Sequence, residues 1–139
     1  MLRPLSATIL IFLLLILFGN CSPAKKKQVA ESAVAKFHSQ LDGRQFHDIY
    51  VQSGPEFQKS ATEAEITEFL SAVHRKLGNV QSSKAQRFFV NFSTSGTIVT
   101  LAYDSQFANG PAVEEFVWRV SEEPRLVSYR INSLLLVTK

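Results

Sequence analysis

The hydrophobic pattern of this chain changes its period once, at Gly78, and that change constrains the fold more than any other feature. Before Gly78, apolar residues recur every three or four positions, which is the period of an amphipathic helix. After Gly78, apolar and polar residues alternate, which is the period of a half-buried strand. Helices that precede the strands, instead of alternating with them, are typical of an α+β domain.

Two helices are predicted in the first half of the helical region. The first begins at Gln28, after a short linker over residues 22–27, and ends at Asp42-Gly43, where glycine favours helix termination. Its apolar face consists of Ala30, Ala33, Val34, Phe37 and Leu41. The second helix covers residues 45–51 and is followed by the breaker Ser53-Gly54-Pro55 and a short turn-rich stretch.

The third predicted helix, Thr62 to Leu77, carries the clearest boundary signals. Thr62 and Glu65 form a capping box, in which the hydroxyl and the carboxylate accept the free backbone N–H groups at the helix start. The apolar face consists of Ile66, Phe69, Leu70, Val73 and Leu77. Gly78 then ends the helix.

Four strands are predicted after Gly78. They cover residues 81–92, 97–107, 113–121 and 125–137. Long strands with short turns favour an antiparallel meander. One face is predicted to be apolar, with Val99, Leu101, Tyr103, Phe116, Trp118, Val120, Val127, Tyr129 and Ile131. The opposite face carries Thr100, Asp104, Glu115, Arg119, Ser128 and Arg130. The predicted fold class is therefore α+β, with N-terminal helices packed on a curved four-stranded antiparallel sheet.

Three sequence features carry a resemblance to a known superfamily. They are the turn Leu41–Phe46 after the first helix, Phe57 followed by the helix that ends in Leu77-Gly78, and a terminal pair in which Phe116–Val120 precedes Tyr129–Ile131. Together they span residues 28–137, and they resemble the cystatin-like cone fold of the nuclear-transport-factor-2 and ketosteroid-isomerase superfamily. Within it, the chain resembles small bacterial lipoprotein or secreted families.

The resemblance implies a pocket between the sheet and the helices, and it allows a homodimer in which two open sheets pair face to face. It carries no catalytic residue onto this sequence. The candidate pocket lining is Tyr103, Asp104, Phe116, Trp118 and Tyr129. For the aromatic residues among them, the simpler interpretation is ordinary packing between sheet and helices.

The first 20 residues are predicted to be a signal peptide. Arg3 provides the positive start, and an apolar run from Leu5 to Phe18 follows. A helix needs about 20 apolar residues to span a bilayer, so an uncleaved anchor is the weaker alternative. The domain organisation predicted from this is a signal peptide over residues 1–20, a lysine-rich tether over 21–27 and a domain over 28–139.

Cys21, the only cysteine, is the candidate lipid attachment site. Its position after the apolar run resembles a bacterial lipoprotein signal, which implies a lipid anchor in the cell envelope, with Ser22 favouring the outer membrane. Gly19 matches the usual pattern, whereas Phe18 and Asn20 differ from it. The alternative is ordinary signal peptidase cleavage after Ala24, which would leave a secreted or periplasmic protein.

Charge is concentrated next to the predicted anchor. The whole chain has 15 basic and 12 acidic side chains, but residues 28–139 have 11 and 12. The domain therefore lacks the basic excess that nucleic-acid binding requires. Lys25-Lys26-Lys27 account for most of the difference, and we expect them to solvate the tether or to contact anionic head groups.

No catalytic motif is present. Asp104 could act as a pocket base if it lay in apolar surroundings, although an aspartate near a strand end is usually exposed. His38, His47 and His74 do not have the spacing of a helical metal site, and His38 and His74 are predicted at the boundaries of their apolar faces. We therefore expect no metal, no cofactor and a non-enzymatic domain that binds a small apolar ligand or a protein partner. The alternative is a small isomerase- or dehydratase-like enzyme that uses Asp104 or a histidine.

Overall fold

The computed structural model describes residues 22–138, which form five helices and four strands. The helices are α1 (Pro23–Asp42), α2 (Phe46–Gln52), α3 (Pro55–Ser60), α4 (Glu63–Leu77) and α5 (Leu134–Val137). The strands are β1 (Val80–Ser93), β2 (Gly96–Phe107), β3 (Gly110–Val120) and β4 (Pro124–Asn132). Four helices thus precede the sheet, which confirms the predicted α+β class.

The four strands form one open antiparallel sheet in the order β1-β2-β3-β4. Each strand pairs with the next along the chain, as expected for a meander connected by short turns. In the middle of the sheet, Phe116 on β3 lies opposite Leu101 on β2 and Tyr129 on β4. The alternation of the strands therefore directs one row of aromatic and aliphatic side chains toward the helices.

The hydrophobic core lies between the apolar stripes of the helices and this inner face of the sheet. Its buried members are Ala30, Ala33, Val34, Phe37, Leu41, Ile49, Phe57, Ile66, Leu70, Val73, Leu77, Val99, Leu101, Tyr103, Phe107, Ala112, Phe116, Trp118, Val120, Leu126 and Tyr129. The predicted faces of α1 and α4 are confirmed, except that Phe69 on α4 remains 41% exposed.

Helix α4 has the predicted capping box and the predicted stop. The Thr62 backbone N–H donates to Glu65 Oε2 at 2.8 Å, and the Glu65 backbone N–H donates to Thr62 Oγ1 at 3.3 Å. Gly78 has φ of 76°, a left-handed conformation that glycine adopts without a Cβ penalty, and its N–H donates to His74 O.

Helix α1 begins earlier than the periodicity predicts. The Ser22 hydroxyl accepts a hydrogen bond from the Lys25 backbone N–H at 3.2 Å, and Pro23 occupies the first helical position. Both residues are standard start signals, since proline needs no hydrogen-bond partner there. Residues 23–27 are therefore helical, and the prediction of a linker there is wrong.

Two short helices replace stretches that were predicted differently. The turn-rich stretch after Gly54 forms α3. The last strand was predicted to reach residue 137, but it ends at Asn132, because Ser133 caps α5 by accepting from the Leu135 N–H at 3.4 Å. The Ser133 hydroxyl also donates to Pro111 O at 2.8 Å, which holds this turn against β3.

A β-bulge shifts the inner face of β4 by one residue. Trp118 on β3 pairs with Leu126, whereas the neighbouring Val117 pairs with Ser128, so Val127 is the extra residue. Leu126 is consequently buried, and Val127 is only half-buried. The prediction that Val127 belongs to the continuous apolar face is therefore wrong, because simple alternation cannot include a bulge.

One exposed ion pair between α2 and α4 yields a prediction about pH. His47 Nδ1 lies 2.5 Å from Glu63 Oε1, and the hydrogen bond and charge of Glu63 raise the pKa of His47 above its ordinary value. A raised pKa means that the pair stabilises the fold below the unfolded value of about 6.5 and stops doing so as the pH rises through the folded value. We expect an NMR titration of the His47 ring to show the raised pKa in the native chain and a lower one in Glu63→Gln. Glu68→Gln, on the exposed face of the same helix, should leave the titration of His47 unchanged. If it lowered the pKa of His47 as much as Glu63→Gln does, Glu63 would not be the cause of the raised pKa.

Candidate functional site

A carboxylate lies at the centre of the core. Glu114 on β3 is located between the inward-facing residues Ala112 and Phe116, so the alternation of the strand directs it toward the helices. Its exposed fraction is 0%. A buried carboxylate is costly unless it is hydrogen-bonded or paired, so its surroundings decide whether the fold tolerates it.

Three side chains from three different elements contact the Glu114 carboxylate. His38 Nε2 on α1 lies 2.8 Å from Oε2, and the Ser105 hydroxyl on β2 donates to the same oxygen at 2.5 Å. The Tyr129 hydroxyl on β4 donates to Oε1 at 2.8 Å. A carboxylate only accepts hydrogen bonds, so this set satisfies it when His38 carries its proton on Nε2. We call these four residues the Glu114 cluster.

The protonation of Tyr129 supports its role as a donor. Burial raises the pKa of the Tyr129 phenol well above 10, and the charge and hydrogen bond of Glu114 raise it further. The neighbouring Tyr103 has its pKa raised to about 12, again mainly by burial. Both phenols therefore keep their protons at neutral pH, and Tyr129 remains a donor to the carboxylate.

Aromatic rings enclose the cluster. The ring of Phe37 lies 4.7 Å from Tyr129 and 5.1 Å from Phe116, centroid to centroid. The His38 ring lies 5.7 Å from Phe116 in an edge arrangement, and Tyr103 lies 5.9 Å from Phe116. These contacts remove water from the carboxylate and strengthen its hydrogen bonds, because the local dielectric is low.

A separate cavity of about 730 Å³ lies between α1, α2 and the turn that joins β3 to β4. Its volume is in the range of small-molecule binding sites. It is lined by Val29, Ser32, Ala33, Lys36, Phe37, Gln40, Ile49, Gln52, Ser53, Trp118, Glu123, Pro124, Arg125 and Leu126. The core residues of the lining form an apolar floor, and the exposed polar residues form the rim. We call it the α1–β4 cavity.

The indole of Trp118 contributes to this lining and has an unsatisfied polar group. Trp118 is 6% exposed, and within the described residues its Nε1 has no hydrogen-bond partner. A buried N–H without an acceptor costs about 1–3 kcal/mol, so such groups usually bind a water or a ligand atom. The lining of the cavity therefore includes a residue whose buried N–H lacks an acceptor among the described residues.

Two cations lie at the rim of the α1–β4 cavity. Arg125 donates through Nη1 to Gln52 O at 3.1 Å and through Nη2 to Glu123 Oε2 at 3.0 Å, so its guanidinium is held by both sides of the opening. Lys36 is exposed, and no ion pair joins it to any residue of the described range. The rim thus combines Arg125, which is paired with Glu123, with Lys36, which is exposed.

The Glu114 cluster and the α1–β4 cavity are neighbours but do not communicate. Phe37 belongs to the cavity lining and also packs against Tyr129 and Phe116. None of the four cluster residues is part of that lining. A molecule in the cavity is thus separated from the carboxylate by an aromatic layer.

The residues predicted to line a pocket separate into three groups. Trp118 lines the α1–β4 cavity. Tyr103, Phe116 and Tyr129 are packed in the core around the Glu114 cluster. Asp104 is exposed on the opposite face of the sheet, where it borders a second cavity of about 520 Å³. The apolar surroundings that the hypothesis of a catalytic Asp104 required are therefore not its surroundings in the structure.

Sequence reasoning missed Glu114 and Ser105 and placed His38 at a boundary, although signals for all three were present. Ser105 alternates with the buried Tyr103 and Phe107 on β2. His38 was predicted at a boundary but is buried, because it follows Val34 by one helical turn and Ala30 by two. Glu114 alternates with Ala112 and Phe116, which places it on the inner face. The other histidines lie outside the core: His47 pairs with Glu63, and His74 Nε2 lies 2.8 Å from Asn79 Oδ1.

The described residues, 22–138, contain neither a metal-ligand group nor a membrane-spanning helix. No group of three or more His, Cys, Asp or Glu side chains in this range is arranged to hold a metal ion. No helix in this range is long and apolar enough to span a bilayer. The predicted signal peptide and the candidate lipid site Cys21 lie outside the described residues.

Comparison with known proteins gives a family. Residues 33–129, from the middle of α1 to the Glu114 contact on β4, match a family described as a protein of unknown function, DUF4019. The chain belongs to the DUF4019 family. The matched range contains all four residues of the Glu114 cluster and most of the cavity lining. No curated protein matches the chain significantly.

The cluster predicts a large difference between two adjacent glutamates. Glu114→Ala removes the common acceptor of three buried groups, so we expect a loss of about 3–5 kcal/mol in the free energy of unfolding. Glu115→Ala, on the outer face, breaks only the exposed pair with Arg130 and should cost less than about 1 kcal/mol. Urea unfolding followed by the fluorescence of Trp118 measures both. Similar losses for the two variants would show that the Glu114 cluster does not stabilise the fold.

Proposed function

We propose that this protein is an exported, membrane-held domain that binds a small apolar ligand with a hydrogen-bond acceptor in the α1–β4 cavity. The observation that carries the proposal is the cavity itself: an apolar floor, an indole N–H without a partner and a cationic rim. The proposed function is binding rather than chemistry.

The proposal includes membership of the cystatin-like cone fold. A long first helix packed across an open antiparallel sheet supports it, as does the position of the cavity between helices and sheet. This arrangement matches the pocket that the resemblance to the nuclear-transport-factor-2 and ketosteroid-isomerase superfamily implies. The face-to-face homodimer remains a prediction, which sedimentation of the protein at high concentration tests.

The chemistry of the lining defines the class of ligand. Phe37, Trp118 and Leu126 favour an alkyl chain or an apolar ring. The Trp118 N–H requires an acceptor such as a carbonyl or carboxylate oxygen. Lys36 and Arg125 at the rim favour a negative charge at the outer end of the ligand. An alkyl or aryl carboxylate, or an apolar peptide with an acidic end, combines these properties.

The second candidate function is a small isomerase- or dehydratase-like enzyme. The observation in its favour is the Glu114–His38 pair, a buried acid and base 2.8 Å apart. Pairs of this kind serve as proton-transfer groups when a substrate can reach them. The aromatic layer between the pair and the α1–β4 cavity favours the binding hypothesis, because a bound molecule would not contact either group.

Ligand binding is testable with decanoate and, as an uncharged comparison, decanol. We expect isothermal titration calorimetry to detect decanoate, and Trp118→Phe to weaken its binding about 10- to 100-fold, because a hydrogen bond to a charged group contributes about 1.5–3 kcal/mol. Lys36→Gln should weaken the binding of decanoate by up to about fivefold and leave the binding of decanol unchanged.

Lys59→Gln is the matched control for this experiment. Lys59 is an exposed lysine on α3 that does not line the cavity, so its replacement should not affect binding. Equal effects of the two lysine variants, or unaltered affinity in Trp118→Phe, would contradict the proposed binding mode. Mass spectrometry of the recovered decanoate and of candidate hydroxy acids distinguishes binding from turnover: unchanged compounds agree with binding, and converted ones favour the enzyme.

The proposed location rests on residues 1–21. We propose that the chain is exported and held in the bacterial cell envelope by a lipid on Cys21, with a secreted or periplasmic protein as the alternative. Mass spectrometry of the mature N-terminus tests this. We expect a diacylated Cys21, and Cys21→Ser should release the protein from membranes. An N-terminus at Lys25 would contradict the lipid anchor.

A further inference from the structure

The free edge of the sheet carries an apolar surface that the core does not use. On β1, the side chains of Phe88, Phe89 and Phe92 are 47%, 67% and 52% exposed. By contrast, aromatic residues on β2, β3 and β4 are buried under the helices. Three exposed phenylalanines on one short stretch are unusual for a surface without a partner.

The same region is basic. Strand β1 contains Lys84 and Arg87 and no acidic residue, and both cations are exposed. The first turns of α1 contribute Lys25, Lys26 and Lys27, with no acid in the first turn. Two acidic residues lie next to these cations: Glu31 pairs with Lys27 at 3.1 Å, and Asp104 on β2 lies opposite Lys84. From residue 28 onward the chain is nearly neutral, so this is a local excess of positive charge.

One contact joins the start of α1 to the aromatic residues of β1. Lys27 Nζ lies over the ring of Phe88, 5.0 Å from its centroid, in a cation–π arrangement. The start of α1 therefore lies against the middle of β1. Phe88 and Phe92 lie on the helix side of the strand, whereas Phe89 lies on the outer side with Lys84 and Arg87, so the surface extends around the free edge of the sheet. Because Ser22 precedes α1 directly, residues 1–21 connect to the domain beside this surface. We call Phe88, Phe89, Phe92 and the cations Lys25–Lys27, Lys84 and Arg87 the β1 patch.

We propose that the β1 patch docks onto an anionic phospholipid surface, with the phenylalanines at the acyl boundary and the cations among the head groups. Basic residues beside exposed aromatic side chains are the composition of interfacial membrane-binding surfaces. The position of Cys21, the proposed lipid site, favours the same occupant, since it directly precedes Ser22 and α1 and would hold the start of α1 near the bilayer. This inference rests on the proposed location but not on the cavity ligand.

A second copy of the chain is the less favoured occupant. An exposed edge strand can pair with another strand, and lysine on such an edge opposes that pairing. Two β1 strands would bring Lys84 and Arg87 of both copies together without an acidic residue on either strand. An anionic head-group layer instead offers opposite charge, worth about fivefold in partitioning for each cation near the surface.

The test uses the full chain reconstituted in vesicles of phosphatidylglycerol and phosphatidylcholine that contain brominated lipid. Phe89→Trp places a fluorescent reporter in the β1 patch. Leu134→Trp places the matched reporter on α5. Leu134 is 81% exposed, and its neighbour Leu135 lies against Gly110, at the other end of the strands from Phe89. Trp118 is buried and common to both proteins. We expect bromine quenching of Phe89→Trp and its absence in Leu134→Trp.

The dependence of the quenching on charge is the second part of the test. Replacing Lys25, Lys26 and Lys27 by glutamine, or raising the salt to 1 M, should cause a loss of the quenching, because salt at that concentration reduces the screening length to about 3 Å. Vesicles of phosphatidylcholine alone should give little quenching.

Equal quenching of the two reporters, a chain that does not associate with anionic vesicles, or quenching independent of charge would overturn the proposal. If the Phe89→Trp reporter is protected from both bromine and water, the β1 patch is covered by residues 1–21 or by a second copy of the chain. That result would overturn the proposal as well. Decanoate titration of the same samples measures binding in the α1–β4 cavity separately. Failure of membrane docking can therefore be distinguished from failure of ligand binding.

Discussion

The fold depends on one buried carboxylate and its three hydrogen bonds. Glu114 on β3 is held by His38 from α1, Ser105 from β2 and Tyr129 from β4, so a single side chain connects the first helix with three strands. An unpaired carboxylate at this depth would cost several kcal/mol. The correct rotation of α1 and the correct register of the sheet are therefore selected together, because a shift of either one removes a donor from a charge that water cannot reach.

Much of this architecture was predictable from the sequence, because its signals are local. The capping box at Thr62, the stop at Gly78 and the change of period all act within a few residues, and all appear in the structure. The Glu114 cluster was not predicted, because a glutamate is rarely buried and its partners are up to 76 positions away in the chain. The bulge at Val127 was also not predictable, since it depends on pairing between β3 and β4 rather than on the alternation of either strand.

The same aromatic residues that stabilise the fold define what the site can do. Phe37 and Phe116 separate the Glu114 cluster from the α1–β4 cavity, so the strongest acid–base pair in the core is not in contact with the space that a ligand could occupy. A catalytic interpretation would need that layer to open, with loss of the packing that keeps the carboxylate dry. Binding needs no such movement, because Trp118 and the rim cations already line the cavity.

The strand order gives the two proposed surfaces a defined relation. The β1 strand of the patch lies on one edge of the sheet, whereas the cavity lies between α1, α2, β3 and β4, the strand on the opposite edge. A domain docked through β1 would therefore present the cavity away from the lipid, and its ligand would enter from the aqueous side. The charge distribution agrees with this orientation: the cations of the β1 patch are in the first turns of α1 and in β1, whereas those of the cavity rim are Lys36, further along α1, and Arg125 on β4. Anchoring and binding would then use separate residues, so that either activity could be lost without the other.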